Sequence, residues 1–232
     1  MATARALRRR RGGSSVSESL TILDVAEGAA VLTLNRPAKR NALSRVLRDE
    51  IVERLDELTK NSDVRAVVLT GAGPVFCAGF DRSEFAGGSM AEVFADAIEY
   101  HRRVFTFPKP LIAAVNGPAL GGGCDLAAMC DFRLAAASAA FGQPQVRFGA
   151  AAAYELMRVV VGTGMAREMC LTGRPVDAEE ALRIGLVNRV LGQDELLESA
   201  TALARDLASL PEDIPESAKR VFVAHQPRLF ES

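Results

Sequence analysis

A run of three glycines followed by an acidic residue is the part of this chain whose residue types could do chemistry. Gly121, Gly122 and Gly123 follow the apolar run 111–115, and Asp125 comes two residues after them. Because glycine has no side chain, the backbone there can approach a ligand closely, and the N–H groups of a following helix would face that ligand. A helix N-terminus favours partial negative charge, so the pattern suits a developing oxyanion beside one carboxylate. These residues indicate chemistry on a carbonyl compound.

The composition argues against several other classes of function. The chain has 232 residues, a formal net charge of −1, 49% hydrophobic and 25% charged residues, as ordinary globular proteins do. The near-neutral charge and the lack of Trp argue against a nucleic-acid partner. The four cysteines show no Cys-x-x-Cys spacing, and His101 and His225 stand in no motif. We therefore expect neither a metal site nor a histidine-activated nucleophile.

The first nineteen residues differ from the rest of the chain. Residues 1–11 contain five arginines, a Gly/Ser stretch follows, and the first acidic residue is Glu18. This composition is typical of a disordered tail and also of an organellar transit peptide. We therefore separate a tail, 1–19, from a folded domain, 20–232. We expect a cytoplasmic protein, or one of the mitochondrial matrix if the tail is a transit peptide. No apolar run approaches the roughly 18 residues of a membrane span, so no membrane partner is expected.

Short apolar runs typical of strands alternate with segments of helical periodicity. Ser44 predicts the cap of a helix that runs to about Lys60, and Asp194 predicts the cap of a helix that runs to about Leu210. The pattern Asp177-x-x-Glu180 is that of a capping box. Strands are predicted over 20–25, 30–34, 65–70, 111–115, 131–135 and 186–190, with further helical stretches within 83–107, after the glycines, from about 154, over 177–185 and over 216–225. The alternation predicts one α/β domain with largely parallel strands.

Five segments, in the same order along the chain, resemble motifs of the crotonase, or enoyl-CoA hydratase/isomerase, superfamily. They are LNRPAKRNAL (34–43), VVLTGAGPVFCAG (67–79), VNGPALGGGCD (115–125), CLTGRPVDAEEA (170–181) and GLVNRV (185–190). The resemblance covers roughly residues 20–210. It implies a crotonase-like spiral of ββα repeats with a helical C-terminal part, an acyl-CoA thioester as substrate, and assembly as a homotrimer or a dimer of trimers. It implies no cofactor other than the coenzyme A of the substrate.

The same resemblance assigns residues to the site. The shared chemistry of the superfamily stabilises a thioester enolate with two backbone N–H groups, which by position belong to Ala78 and Gly122. The loop 36–41 resembles the segment that lies along the CoA nucleotide, where Lys39 or Arg40 could meet phosphates; solvated charge on a loop is the alternative. The residues assigned to substrate binding are Arg36, Lys39, Arg40, Asn41, Ala78, Gly79, Phe80, Asp81 and Gly121.

The chain departs from the family hydratases at both of their acidic positions. Those enzymes resemble this chain but carry glutamates where Asp125 and Gln145 stand. Hydration needs one group to deprotonate water and another to protonate the α-carbon, and Gln145 cannot titrate. We therefore expect Asp125 to act as a single acid/base, in isomerisation or weak hydration, and Gln145 to position water or substrate. Dienoyl-CoA isomerases of the superfamily are similar in carrying Asp at the first position.

Several alternatives stay open at this point. Asp125 could instead cap the helix that the glycines open, with a low pKa that suits a base poorly. Glu155 could replace the missing second acid or lie exposed on its helix, and Asp131 is expected to be structural. A non-catalytic acyl-CoA-binding homologue, or thioester hydrolysis or decarboxylation on the same scaffold, would also fit. The region after about Leu210 is shorter than in the family, which predicts a more open pocket, a pocket covered by a partner subunit, or a different oligomer.

Overall fold

The structure, a computed structural model, describes residues 19–86, 90–211 and 213–226. The expected tail, apart from Ser19, therefore lies outside the described residues, as does the C-terminal segment 227–232.

Nine strands form two sheets. They are β1 (Thr21–Ala26), β2 (Ala29–Leu34), β3 (Ala66–Gly71), β4 (Leu111–Val115), β5 (Ala119–Leu120), β6 (Phe132–Ala136), β7 (Ala140–Gly142), β8 (Pro175–Asp177) and β9 (Arg189–Leu191). The main sheet has the order β1-β2-β3-β4-β6-β9, and the small sheet has the order β5-β7-β8. Only β1 runs antiparallel to its neighbour in the main sheet among the described strands, so the predicted parallel pairing is confirmed.

Seven α-helices connect and cover these strands. They are α1 (Arg45–Lys60), α2 (Met90–Phe105), α3 (Gly122–Met129), α4 (Tyr154–Thr172), α5 (Ala178–Arg183), α6 (Gln193–Ser209) and α7 (Ile214–His225), with single turns of 3₁₀-helix at Pro37–Lys39, Arg82–Ala86 and Pro144–Phe148. Over the described ranges, none of these helices is long and apolar enough to cross a membrane.

Two consecutive ββα turns advance along the molecule as a spiral, because each places one strand in the main sheet and one in the small sheet. The turn β4-β5-α3 is followed by the turn β6-β7-α4, with β4 and β6 paired in the main sheet and β5 and β7 paired in the small one. Helices α3 and α4 pack on each other. The loops that leave β4 and β6 therefore meet on one side of the molecule.

The central strands of the main sheet are apolar on both faces, as parallel strands covered by helices are. Along β3, Val67 and Leu69 pack into the larger core, and Ala66 and Val68 pack into a second core on the opposite face. Helix α6 supplies the cover of that second face through Leu196, Ala200 and Ala204, which recur at helical spacing. All six strand residues of β3 are buried, so no position on it faces solvent.

The predicted helix caps are confirmed in part. The Ser44 side chain accepts from the Leu47 N–H at 3.3 Å, and Asp177 accepts from the Glu180 N–H at 2.7 Å. The reciprocal half of the capping box is not made, because the Glu180 carboxylate binds Arg174 instead. The predicted cap at Asp194 is wrong. Gly192 is the N-cap of α6, and Asp194 lies in its first turn, where the helix dipole favours a negative charge.

Two buried asparagines hold the loop that leaves β3. Asn41 is fully buried, and its Nδ2 donates to the carbonyls of Ala72, Val75 and Phe76 at 2.7–3.2 Å. Asn116 donates to the carbonyl of Gly71 at 2.9 Å, and its Oδ1 accepts from the Gly71 N–H at 3.2 Å. These bonds satisfy backbone groups that the loop would otherwise bury without partners.

Two buried lysines bind segments that connect the helices and strands. The Lys109 ammonium donates to the carbonyls of Leu58, Asn61 and Val64 at 2.7, 2.8 and 2.7 Å, where α1 ends. Lys219 on α7 binds Asp131, whose carboxylate also accepts from the Leu111 N–H at 2.7 Å. Asp131 therefore has the structural role expected of it.

Substitution of Lys109 tests whether its ammonium group stabilises the fold. We expect Lys109→Met to lower the free energy of unfolding by about 2–4 kcal/mol, because buried carbonyls lose their donor and cannot reach water. Urea denaturation followed by circular dichroism measures the change, with Lys60→Met, at an exposed position of α1, as the matched control. Equal urea midpoints for the two variants would contradict the assigned role.

Candidate active site

A cavity of about 480 Å³ lies where three connecting segments meet. They are the segment after β3, the glycine loop that opens α3, and the 3₁₀ turn after β7. A concave and mainly apolar site of this size, with a few polar groups, is typical of small-molecule binding. Its lining residues are Ala78, Gly79, Phe80, Arg82, Phe85, Gly121, Gly122, Pro144, Gln145, Phe148 and Ala150.

The glycine loop has two separate reasons to lack side chains. Gly121 has φ +53°, in the region that disfavours residues with a Cβ. A Cβ on Gly123 would lie 2.1 Å from the carbonyl oxygen of Cys77, so this glycine allows α3 to pack directly on the neighbouring backbone. The expected close approach to a ligand therefore applies to Gly121 and Gly122, which line the cavity, and not to Gly123.

The two predicted oxyanion donors stand differently in the structure. Gly122 is the first residue of α3, so its N–H has no acceptor within the helix, and it lines the cavity. The Ala78 N–H instead donates to the carbonyl of Arg40 at 3.0 Å, which directs it away from the cavity. The assignment of Ala78 as an oxyanion donor is therefore corrected. The part of this segment that faces Gly122 is Gly79–Phe80, since a Cβ on Gly79 would lie 3.2 Å from the Gly122 nitrogen.

The Asp125 carboxyl lies behind the glycine loop, in the first turn of α3, and is 4% exposed. Its Oδ1 accepts a hydrogen bond from Gln143 Nε2 at 2.7 Å, and no other described residue hydrogen-bonds to this carboxyl. The N-cap of α3 is Gly121, without a side-chain cap, so Asp125 does not cap the helix. Burial raises its pKa to about 7, and the hydrogen bond from Gln143 opposes that shift only in part.

Gln143 is a site residue that the sequence analysis did not single out. It is fully buried at the end of β7 and joins Asp125 to Gln145, because Gln145 Nε2 donates to Gln143 Oε1 at 2.8 Å. Gln145 lines the cavity, and its amide lies on Gly121, 3.6–3.8 Å from the position of a Cβ there. The signal in the sequence was the first glutamine of Phe141-Gly-Gln-Pro-Gln145, two residues before the one that the resemblance marked.

Some residues assigned to substrate binding hold the walls of the site instead. Asn41 is the buried side chain that binds the loop after β3, and its Oδ1 accepts a hydrogen bond from the Arg36 N–H at 2.9 Å. The Arg36 guanidinium binds the Asp81 carboxylate at 2.5 Å and the carbonyl of Ala42 at 3.0 Å. Asn41, Arg36 and Asp81 are therefore engaged within the protein.

Lys39 and Arg40 are the assigned residues that stay exposed. They follow one another at the end of the 3₁₀ turn Pro37–Lys39, and the Arg40 carbonyl is the acceptor of the Ala78 N–H. This loop thus borders the wall of the cavity, with two cationic side chains in solvent.

Five lining residues were not anticipated: Arg82, Phe85, Pro144, Phe148 and Ala150. The Arg82 guanidinium lies 5.1 Å from the ring centroid of Phe148, which is 59% exposed. Phe80, which was anticipated, places its ring on Gly122 and 5.2 Å from the Arg48 guanidinium. The aromatic rings give the cavity a mainly apolar wall, and its polar groups are those of Arg82, Gln145 and the glycine loop.

The structure does not bring Glu155 to the site. Its side chain is exposed and pairs with Arg158 at 2.8 Å, one turn along α4, and it is not among the lining residues. Glu155 is therefore corrected to a surface residue. Cys77 and Cys124 are fully buried, and burial raises the pKa of Cys77 to about 12, so both have the packing role expected.

Comparisons with known proteins agree with this architecture. The enoyl-CoA hydratase/isomerase family model matches residues 24–228. A probable enoyl-CoA hydratase of Mycobacterium leprae is 37% identical over 227 residues, which cover 91% of this chain and 88% of the relative. The mitochondrial Delta(3,5)-Delta(2,4)-dienoyl-CoA isomerase of Rattus norvegicus is 36% identical over 211 residues, covering 83% of this chain and 64% of that protein.

Solved structures show the same likeness. The crystal structure of an enoyl-CoA hydratase from Bacillus anthracis superposes with a TM-score of 0.84 at 34% identity, covering 88% of this chain and 82% of that one. The chain belongs to the enoyl-CoA hydratase/isomerase family and has the crotonase fold.

The raised pKa of Asp125 makes stability depend on pH in a defined direction. The folded protein holds this proton up to about pH 7, whereas the unfolded chain releases it near 3.8. Since the folded state binds more protons, this carboxyl lowers the free energy of unfolding progressively as pH rises between those values.

We therefore expect Asp125→Asn to stabilise the protein at pH 8 by about 2–4 kcal/mol and to have little effect near pH 4. The Asn side chain keeps an acceptor for Gln143 and carries no charge. Urea denaturation of both proteins at the two pH values measures the difference, and Asp63→Asn, at an exposed residue, is the control. A stability difference that does not change with pH would contradict a buried, titrating carboxyl.

Proposed function

We propose that this protein binds an acyl-CoA thioester in the cavity, stabilises its enolate at the N-terminus of α3, and uses Asp125 as the single acid/base. The observation that carries this proposal is a buried Asp125 carboxyl, of pKa about 7, that is joined through Gln143 to Gln145, a side chain that cannot titrate. The conclusion is isomerisation, or weak hydration, of an enoyl-CoA.

The thioester oxygen is proposed to sit at the Gly122 N–H. This group begins α3, where the helix dipole and the unpaired N–H favour negative charge, and the surrounding lining is apolar. A preorganised donor of this kind contributes about 10²–10³ in rate in comparable sites. Gly79–Phe80 forms the facing wall.

Asp125 suits a reaction in which one group removes a proton and returns it elsewhere. A carboxyl with a pKa near the working pH is populated in both states, which is the optimum for general acid–base catalysis. Isomerisation of a double bond needs this one group, whereas hydration by two acid/base groups needs a second one that Gln145 does not supply.

The remaining contacts and the assembly are proposals too. We propose that the exposed Lys39 or Arg40 meets the CoA phosphates, and that the reaction uses no cofactor beyond the coenzyme A of the substrate. A homotrimer or dimer of trimers is supported by the apolar face of α7, where Val221 and Phe222 are 60% and 47% exposed. We propose a cytoplasmic location, or the mitochondrial matrix if residues 1–19 are a transit peptide.

Proton exchange at the α-carbon tests the proposal. Incubation of 3-butenoyl-CoA and crotonyl-CoA in D₂O, followed by mass spectrometry, should show deuterium uptake and conversion of the 3-enoyl to the 2-enoyl isomer. We expect Asp125→Asn to lower both rates by at least about 10²-fold because the acid/base is lost, while butyryl-CoA binding persists.

Asp63→Asn is the matched control. Unchanged exchange in the Asp125 variant would contradict the assignment of the base. Binding of butyryl-CoA without exchange or isomerisation in the unchanged protein would favour the non-catalytic homologue, and release of free CoA would favour the hydrolase.

Restoring the second carboxyl should restore hydration. We expect Gln145→Glu to raise the hydration rate of crotonyl-CoA by about 10²-fold, in the range that one positioned acid/base contributes. The introduced carboxyl, when protonated, can still donate to Gln143 Oε1. Absorbance at the enoyl thioester band measures the rate, with Gln193→Glu, at an exposed position of α6, as the control. A variant no faster than the unchanged protein would show that Gln145 does not limit hydration.

A further inference from the structure

A second cavity lies at the opposite end of α3 from the cavity that Gly122 lines. Its volume is about 280 Å³, and its polar wall is formed where α3 ends and β6 begins, by Cys130, Asp131 and Arg133. The two ends of α3, a helix of eight residues, are about 10 Å apart at 1.5 Å per residue. No described residue lines both cavities, so the second cavity is a separate site.

The rest of the wall of this second cavity is mainly apolar. Helices α2, α4 and α7 supply it with the side chains of Phe105, Leu156, Val159, Val160, Phe222 and Val223. Because Phe222 is 47% exposed, the cavity meets solvent beside α7. At the ~30 Å³ that one water-sized atom occupies in a liquid, the cavity has room for about nine non-hydrogen atoms.

Arg133 differs from the other buried cations in having no ion pair. The cationic side chains buried in the described part of the chain are Arg48, Lys109, Arg133 and Lys219. Arg48 pairs with Glu84, and Lys219 pairs with Asp131. Lys109 has three carbonyl acceptors, one for each of its N–H groups. Among these four cations, Arg133 therefore has the charge that the described residues satisfy least.

The Arg133 guanidinium has one nitrogen left for a ligand. Its Nε donates to the carbonyl of Leu186 at 2.7 Å, and its Nη1 donates to the carbonyls of Cys130 and Ala128 at 2.5 and 3.5 Å. Nη2 makes no hydrogen bond to a described residue. It is also not among the polar atoms that the fold buries completely without a partner, so it is open to the cavity. A buried charge needs a partner, and here the partner has to be an anion.

The neighbours of Arg133 leave the second cavity with a positive charge. The Asp131 carboxylate is engaged through Oδ2, which accepts from Lys219 at 2.6 Å and from the Leu111 N–H at 2.7 Å. Burial raises the pKa of the Cys130 thiol to about 12, so the thiol is neutral. Burial lowers the pKa of Arg133, but a guanidinium keeps its charge in proteins. Two cations and one carboxylate therefore meet at this wall.

We propose that the second cavity binds a free aliphatic carboxylate, whose carboxylate group accepts from Arg133 Nη2 and whose hydrocarbon chain lies between α4 and α7. The charge of the wall selects an anion, and the planar guanidinium matches a carboxylate well. The apolar lining selects a hydrocarbon chain rather than an inorganic anion. Hexanoate fits the room of about nine non-hydrogen atoms. This site does not depend on the activity proposed for the first cavity.

Isothermal titration with three ligands of equal chain length tests the proposal. They are hexanoate, 1-hexanol, which lacks the charge, and hexylammonium, which reverses it. At pH 7 we expect hexanoate to bind at least about tenfold more tightly than 1-hexanol, and hexylammonium not to bind. Saturating butyryl-CoA should leave hexanoate bound, because the two cavities share no lining residue. Equal affinities for hexanoate and 1-hexanol, or displacement by butyryl-CoA, would overturn the proposal.

Two neighbouring positions of α7 give a matched pair of variants. Val223 lines the second cavity, whereas Ala224 is exposed and does not line it. Val223→Phe should fill the cavity and weaken hexanoate binding at least about tenfold, whereas Ala224→Phe should leave it unchanged. Equal hexanoate affinity in the two variants would contradict the assigned site.

Arg133→Met should also weaken hexanoate binding at least about tenfold, with circular dichroism to check the fold. Hexanoate affinity unchanged in a folded Arg133→Met would overturn the role of Arg133. Because this variant also loses the bonds to three carbonyls, the pair on α7 tests the site without that loss. If no acyl-CoA binds to the protein, the proposed function fails, but hexanoate binding that Val223→Phe removes would still support this second site.

Discussion

The site depends on one backbone-to-backbone contact, between the glycine loop and the segment that follows β3. Gly123 packs so closely on Cys77 that a single added Cβ would lie 2.1 Å from the Cys77 carbonyl oxygen. This contact sets where α3 begins, and therefore where its unpaired N–H groups and the Asp125 carboxyl lie. The segment opposite is itself fixed, since Asn41 and Asn116 bind the loop that leads into it. The positions of the glycine loop and of the facing segment are thus set by backbone that buried amide side chains hold in place.

The same packing that builds the site makes Asp125 unfavourable for stability. A carboxyl that is 4% exposed, with one hydrogen bond, is held against its tendency to ionise in water. A capping role would have given it several backbone N–H donors and a low pKa, but α3 begins at Gly122 without a side-chain cap. The buried carboxyl supports the proposed acid/base role of Asp125, because groups with strongly shifted pKa values cluster at functional sites.

The sequence predicted those features that depend on local patterns. Ser44 and Asp177 were recognisable as caps because capping needs only a side-chain oxygen and the next turn of helix. The cap predicted at Asp194 was wrong because Gly192, two residues earlier, is the N-cap of α6 although it has no side chain. The parallel sheet followed from the alternation of elements, and the positions of Gly122 and Asp125 followed from their motif.

The features that were missed or wrong depend on contacts between distant segments. Whether the Ala78 N–H is available depends on the Arg40 carbonyl, which lies 38 positions earlier and reaches it only in the fold. Glu155 sits on the correct helix, but the direction of its side chain places it in solvent with Arg158. Gln143 became visible only when β7 placed it between Asp125 and Gln145. Motif spacing names the residues of a site but does not say which of their atoms are already engaged.

Asp125 and Gln145, the two residues that depart from the hydratase pattern, fit each other through Gln143. With Asp125 ionised, Gln143 must point its oxygen outward, and the residue at position 145 must then offer a donor to that oxygen. A glutamine does so at any pH, whereas an ionised glutamate would place a charge against the Gln143 oxygen. Gln145 therefore has both the length and the N–H donor needed to satisfy the Gln143 oxygen when Asp125 is ionised. This match is consistent with the proposed chemistry, in which Asp125 is the single acid/base group of the cavity.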